Sequence, residues 1–300
     1  MKKNDIWVVP IDFSPTDLEV IEYTRFLATF QKPEKVYFVN VVKEFKASFS
    51  QEFQGFQEQV IIDQKLKLEN KVDMHFKTAD VPYECRIMTG IPFQEIIGLV
   101  LNRAASLVIL GKKRISSGSG IVSDRLSRNL PCSVLLVTED FEPKLSNVLV
   151  TTDFSEHADL AMEEVQELLT EKEGVNLFAI HGYDVPSEFP NSGKTQEEYV
   201  EIIKANAEEE MLKWCQKFDH KISPILTHQG ELSLAKQVVD QVDKLNIDLI
   251  VMGSKGQTVA SLARLGSNTM KVLQANSQVP MLVVKKPGEN MNFIESLREG

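Results

Sequence analysis

Apolar residues along the chain follow two alternating patterns. Short unbroken apolar runs alternate with longer stretches whose apolar positions recur every three to four residues. The unbroken runs predict strands at Ile6–Ile11, Val36–Val42, Glu84–Met88, Leu107–Leu110 and Val134–Val137. They recur at Val148–Thr152, Val175–His181, Ile222–Thr227, Leu249–Met252 and Met281–Val284. Helical spacing runs through Leu18, Ile21, Phe26 and Leu27, and predicts further helices at residues 51–70, Pro92–Asn102, His157–Thr170, Glu197–Phe218 and Leu232–Leu245. A last helix starts near Thr269. Ser14-Pro15-x-Asp17 reads as a helix N-cap with proline in the first turn. Unbroken apolar strands alternating with amphipathic helices predict a parallel sheet covered on both faces.

The pattern repeats. WVVPIDFS at Trp7–Ser14 returns as VLVTTDFS at Val148–Ser155, LVILG at Leu107–Gly111 returns as LIVMG at Leu249–Gly253, and SVLLV at Ser133–Val137 returns as PMLVV at Pro280–Val284. The offsets are 141, 142 and 147 residues. Three matched segments in one order point to a tandem duplication. In sheets of this kind ligands bind beyond the carboxyl ends of the strands, where strand order reverses.

The strongest chemical signal lies between Leu249 and Leu273. An apolar run ends at Gly253; Gly256 follows, then nine residues, then Gly266, Ser267 and a helical pattern. Glycines in a loop between strand and helix let backbone N–H groups approach an anion, and the helix start adds unpaired N–H donors. Ser267 can donate a hydroxyl, and Asn268 or Thr269 can do the same while capping the helix. The first half departs from this layout. Gly111 is kept, but Arg114 stands where the second glycine should be. Gly111 and Gly120 are 9 positions apart against 13 for Gly253 and Gly266, and Ile121 replaces the serine. Lys112, Lys113 and Arg114 read either as a hydrated basic loop or as a holder of some other anion.

Length and charge narrow the classes. Three hundred residues with 43% apolar content suit two domains. Residues 1–144 carry 19 basic and 19 acidic side chains, whereas residues 145–300 carry 14 and 24, which accounts for the net charge of −10. An acidic half argues against nucleic acid as a partner. No apolar run is long enough to span a bilayer, and Asp5 and Asp12 interrupt any leader-like stretch, so a cytoplasmic protein is expected. Cys85, Cys132 and Cys215 are scattered, as structural thiols are in a reducing compartment. The five histidines have no zinc-ligand spacing. Gly193-Lys194-Thr195 lacks the upstream glycine and strand of a P-loop. Phe45, Phe49, Phe53 and Phe56 share one helical face, which is a core or partner stripe.

The G-x2-G-x9-G-S spacing, the closing VPMLVV at Val279–Val284 and the VLVTTDFS segment together resemble the ATP-binding members of the universal stress protein family. The resemblance covers nearly all of the second half. It implies an α/β fold of two tandem doubly wound parallel-sheet domains of the adenine-nucleotide alpha hydrolase-like type. These would pack as an internal pseudo-dimer through Val134–Val137 and Met281–Val284. The expected division is 1–144, 145–286 and a polar tail, 287–300.

By position the resemblance implies ATP, with or without Mg2+, in the second domain. Asp153 would lie by the adenosine, flanked by Thr151 and Thr152. The adenine wall would fall near Gly182, where the family usually carries valine. Met252 and Gly253 would line the ribose and first phosphate, and Gly256, Gly266, Ser267, Asn268 and Thr269 the phosphate loop. Lys255 reads either as a phosphate contact or as a surface lysine, and Asp153 also reads as an Asx turn. The implied function is a stress-response regulator that binds an adenine nucleotide, forms homodimers and acts on an unknown protein partner. A slow ATPase or phosphotransferase using Asp153 or Asn268, and a nucleotide-free adaptor working through the first domain, are the alternatives.

Overall fold

The computed structural model of the chain describes residues 5–43, 51–112, 121–185, 195–228, 230, 232–257 and 265–291, without the side chains of residues 51–57 and 121. The phenylalanine stripe, Lys113, Arg114, Gly120 and the Gly193-Lys194 pair therefore lie outside the described residues or side chains. The chain divides into two compact units, Met1–Lys144 with Lys286–Gly300, and Leu145–Lys285.

The first unit runs β1 Ile6–Pro10, α1 Asp17–Gln31, β2 Lys35–Val42, α2 Gln51–Phe76, β3 Tyr83–Thr89, α3 Pro92–Arg103, β4 Leu107–Lys112, α4 Ile121–Asn129 and β5 Ser133–Thr138. Its strands lie in the order β3-β2-β1-β4-β5, and every pair is parallel. The second unit runs β6 Asn147–Thr151, α5 Glu156–Leu169, β7 Asn176–Tyr183, α6 Gln196–Cys215, β8 Ile222–His228, α7 Leu234–Leu245, β9 Leu249–Gly253, α8 Ser267–Ala275 and β10 Met281–Val284. Its order, β8-β7-β6-β9-β10, is the same, again with parallel pairs throughout. Strand order reverses beside β1 and β4 in one unit and beside β6 and β9 in the other.

The central strands are apolar throughout because helices cover both of their faces. Val148, Leu149, Val150, Ile250 and Val251 are fully buried, as are Val8, Val9, Val108 and Ile109. Helix starts follow local chemistry. Ser155 accepts a hydrogen bond from the Ala158 N–H at 3.3 Å and caps α5. Thr195 and Glu198 form a reciprocal capping box on α6, and Ser233 caps α7.

The expected Ser14 cap does not form. Helix α1 begins after Thr16, which already has helical dihedrals and gives no side-chain cap. The Ser14 carbonyl instead accepts from the Asp17 N–H at 3.3 Å, and the Thr16 hydroxyl donates to Glu139 Oε1 at 3.2 Å. Proline at position 15 favours this preliminary turn, since it fixes φ and has no N–H. Residues 286–291 lie against the first unit. The Gly288 N–H reaches the Pro131 carbonyl at 3.2 Å, and Asn290 Nδ2 the Arg128 carbonyl at 3.2 Å. Among the described residues no helix is long and apolar enough to cross a membrane.

Candidate functional site

Strand β6 ends in Thr151 and passes into Thr152-Asp153-Phe154-Ser155, a turn held by its own side chains. Asp153 Oδ1 accepts from the Ser155 N–H at 3.1 Å, and Thr152 Oγ1 from the Phe154 N–H at 3.0 Å. The turn puts Phe154 at φ 62°, a left-handed conformation that is uncommon for a bulky residue. The first unit has the same turn: Asp12 Oδ1 accepts from the Ser14 N–H at 3.0 Å, and Phe13 lies at φ 60°. The Asx turn is thus a property of the repeat and does not depend on the glycine loop.

Asp153 also reaches the loop after β9 through its second oxygen. Oδ2 accepts from the Gln257 N–H at 2.9 Å, while Gln257 Nε2 donates to the Asp153 carbonyl at 2.6 Å. These bonds pin the segment after β9 to the end of β6. Gly256 is required by that closure, because a Cβ there would lie 2.5 Å from Asp153 Oδ2.

Gly253 serves a similar purpose. An added Cβ would meet the His157 carbonyl oxygen at 2.7 Å and its carbon at 2.8 Å, so the glycine lets the first turn of α5 lie on the end of β9. Both glycines are thus needed by the chain's own packing, a demand that the anion-approach argument from sequence did not contain.

The far end of the loop is fixed as well. The Gly266 N–H donates to the Ser254 carbonyl at 2.7 Å, and the Ser254 N–H to the Val284 carbonyl at 2.8 Å. Gly266 is the N-cap residue of α8 and makes no side-chain cap bond. The expectation that Asn268 or Thr269 caps the helix is therefore corrected: with Ser267 they form its first turn. Thr269 is buried, and its hydroxyl donates to the Gly253 carbonyl at 2.9 Å, so its one O–H ties α8 to β9. Ser267 and Asn268 are exposed.

These elements enclose a cavity of about 80 Å³ at the strand-order reversal. Thr151 lines it from the end of β6, Thr152 and Asp153 from the turn after it, Met252 and Gly253 from β9, Lys255, Gly256 and Gly266 from the loop, and Ser267, Asn268 and Thr269 from α8. Ala158 and Leu234, at the starts of α5 and α7, complete the wall. Neither was read from the sequence, because an alanine and a leucine on helices carry no signal beyond core packing.

Gly182 lies outside this lining, on β7, in register with Thr227. Its neighbour His181 is turned to the protein. Nδ1 lies 2.9 Å from the Thr152 carbonyl, which can only accept, so Nδ1 carries the hydrogen, and the ring stacks on Phe154 at 4.2 Å. Chemically the cavity offers the first-turn N–H groups of α8, which have no intrahelical acceptors, the exposed Ser267 hydroxyl and the half-buried Lys255 ammonium. Opposite them lies a carboxylate already engaged by two N–H groups. That is an anion cradle with one acidic edge.

In the first unit Gly111 meets a softer neighbour, the Thr16 methyl at 3.1 Å. Burial pushes the adjoining Lys112 ammonium down to about 8, a shift the Asp124 carboxylate opposes. A separate cavity of about 150 Å³ lies at the ends of β1 and β4.

Comparison with known proteins agrees with this duplicated architecture. The model of the universal stress protein family matches residues 4–138 and again residues 144–285, and the chain belongs to that family, with two copies in tandem. A curated universal stress protein of Methanocaldococcus jannaschii is 30% identical over 145 residues, which are 47% of this chain and 82% of that protein. The fold is similar to that of a universal stress protein from Archaeoglobus fulgidus, with a TM-score of 0.64 and 21% identity over 95% of this chain and 99% of that one. It is equally similar to that of a Pseudomonas aeruginosa protein of unknown function, with a TM-score of 0.64 and 15% identity over 99% of this chain and 98% of that one.

Proposed function

We propose that the second unit binds ATP and that the protein acts as a nucleotide-dependent regulator. The observation that carries this reading is the convergence of Gly266 and Ser267, singled out by their spacing, with Asp153 and Lys255, expected from the family resemblance, on one cavity at the strand-order reversal. The volume of about 80 Å³ is about half that of an engineered cavity known to hold benzene, and it suits a phosphate tail better than a whole nucleotide. The donors fit that tail: helix N–H groups, a hydroxyl and an ammonium, with Mg2+ as a further counter-charge supplied from solution. No adenine contact is assigned to Gly182.

Regulation follows from the loop's attachments. Phosphate binding adds bonds at the first turn of α8 and at Lys255, two residues from the Gln257–Asp153 clasp. Occupancy therefore stiffens the surface between β9 and α8, and a protein partner reads that change. Membership of the family supports a stress-response role, a cytoplasmic setting and self-association as a homodimer. Calorimetry with ATP, AMP and adenosine tests the reading. ATP should bind at least tenfold more tightly than AMP, and adenosine hardly at all. Equal affinities for the three, or no heat with ATP, would refute it.

A further inference from the structure

We propose that the groove between β3 and α3 in the first unit binds a phosphate ion through Arg86 and Arg103. Strand β3 is the outermost of its unit. Arg86 and Met88 line the groove from β3, and Gly98, Asn102 and Arg103 line it from α3. Both elements, and the turn that joins them, lie within the described residues. Three cations gather there on one ring. Lys35 Nζ, Arg86 Cζ and Arg103 Cζ lie 4.9, 5.0 and 5.2 Å from the centroid of Tyr37. Glu84 pairs with the first two, through Lys35 Nζ at 2.6 Å and through Arg86 Nε. Half-buried Arg103 donates no hydrogen bond and has no carboxylate partner among the described residues, and the terminal nitrogens of Arg86 donate to none of them.

The fold does not require this cluster, because the second unit is built without it. The strand registers pair Tyr37 with Glu84 and Phe178 with Ser223, so Asn176, Phe178, Ser223 and Ile225 stand where the first unit has Lys35, Tyr37, Glu84 and Arg86. Helices α3 and α7 both end on a left-handed residue, Ala104 and Asn246, which sets Leu245 against Arg103 and Asp240 against Gly98. A glycine inside a helix weakens it, and an added Cβ at Gly98 would meet nothing within 4 Å, so packing does not demand this one either. It keeps the groove beside the arginines open. The carboxyl end of α3 supplies about half a negative charge. Together with Glu84 it leaves more than one positive charge uncompensated, on two planar donor forks that share one ring. One guanidinium occupies both oxygens of a carboxylate, whereas a phosphate has oxygens enough to bridge two forks and carries close to two charges. Glu95, also in the lining, lies about 12 Å from Arg103 along the helix axis and is turned to Gly90, where an added Cβ would come within 2.8 Å of its Oε1. The anion is therefore held at the arginine end. Tyr37 is 4% exposed beneath the cations, so its ring offers no face to a nucleotide base.

The test titrates the full chain with inorganic phosphate, acetate and AMP at constant ionic strength, read by NMR at the Nε–H groups of Arg86 and Arg103. Phosphate should shift both resonances and bind at least tenfold more tightly than acetate, and AMP should bind no more tightly than phosphate. Arg103→Gln should weaken phosphate binding at least tenfold, read at Arg86. Gly98→Asp, which installs the residue of the second unit, should weaken it as well, and Gly98→Asn should not. Should Arg103→Gln disturb the packing around Tyr37, the Gly98 pair and the probe ranking still decide. Acetate binding as tightly as phosphate, AMP binding more tightly, a shift at one arginine alone, no shift with phosphate, or binding undiminished in Gly98→Asp would each overturn the proposal. Lys255→Met, in the other unit, should leave these shifts unchanged, so this test and the ATP test fail independently.

Discussion

Replacing Gly253 by alanine separates packing from ligand approach. The new Cβ would lie 2.7 Å and 2.8 Å from the His157 carbonyl oxygen and carbon. Those are backbone atoms of the first turn of α5, so no side-chain rotation relieves the overlap. Overpacking of this kind costs about 1–3 kcal/mol, and a backbone obstacle puts the cost near the top of that range. Loss of unfolded-chain entropy returns about 0.4–1 kcal/mol. The net effect should be about 2 kcal/mol of destabilisation in the second unit.

The control is Gly111→Ala, where the nearest atom is the Thr16 methyl at 3.1 Å, on a side chain that can yield. There the two terms cancel to about zero. The two tryptophans report the units separately, with Trp7 3% exposed in the first and Trp214 2% exposed in the second. In a Trp7→Phe background, urea unfolding of Gly253→Ala followed by Trp214 fluorescence should show a midpoint lower by about 1 M. In a Trp214→Phe background, Gly111→Ala should leave the Trp7 midpoint nearly unchanged. An unaltered Trp214 midpoint for Gly253→Ala would show that the glycine is not held by α5 and would refute the packing argument.

Three further outcomes are expected. The folded Lys112 ammonium titrates near 8 against 10.5 in the unfolded chain, so over that interval the unfolded state holds more protons and the first unit gains stability as pH rises. Lys112→Met should stabilise the unit at pH 7 and flatten that rise, read from Trp7 urea midpoints between pH 7 and pH 10. Lys255→Met should weaken ATP binding by about tenfold, about 1.4 kcal/mol, and narrow the gap between ATP and AMP, as calorimetry would record. Ser155→Ala removes the α5 cap and should cost the second unit about 1 kcal/mol by the Trp214 midpoint.

The strands were legible because a parallel sheet buried on both faces demands unbroken apolar runs, and Val148–Val150 or Leu249–Val251 can be little else. Helix α4 was not predicted. Its sequence, IVSDRLSRN, is mostly polar, and the apolar runs on either side of it dominate the pattern. Much of the candidate site was legible as spacing, since glycines and a serine in a strand-to-helix loop mark a close backbone approach. What approaches was not legible. The neighbours of Gly253 and Gly256 are His157 and Asp153, about a hundred residues away in sequence, and only the sheet order brings them together. The role of Thr269 was hidden for the same reason: a threonine at a helix start reads as a cap until its bond to Gly253 is seen. At Ser14 and Thr16 the local signal was outweighed by the tertiary bond to Glu139.

A crystal structure grown with saturating ATP and Mg2+ tests the central claim most directly. The account predicts phosphate oxygens within hydrogen-bond distance of the Ser267 and Asn268 N–H groups and of Lys255, with no nucleotide in the first unit. An empty cradle between β9 and α8, or ATP at the ends of β1 and β4, would contradict it.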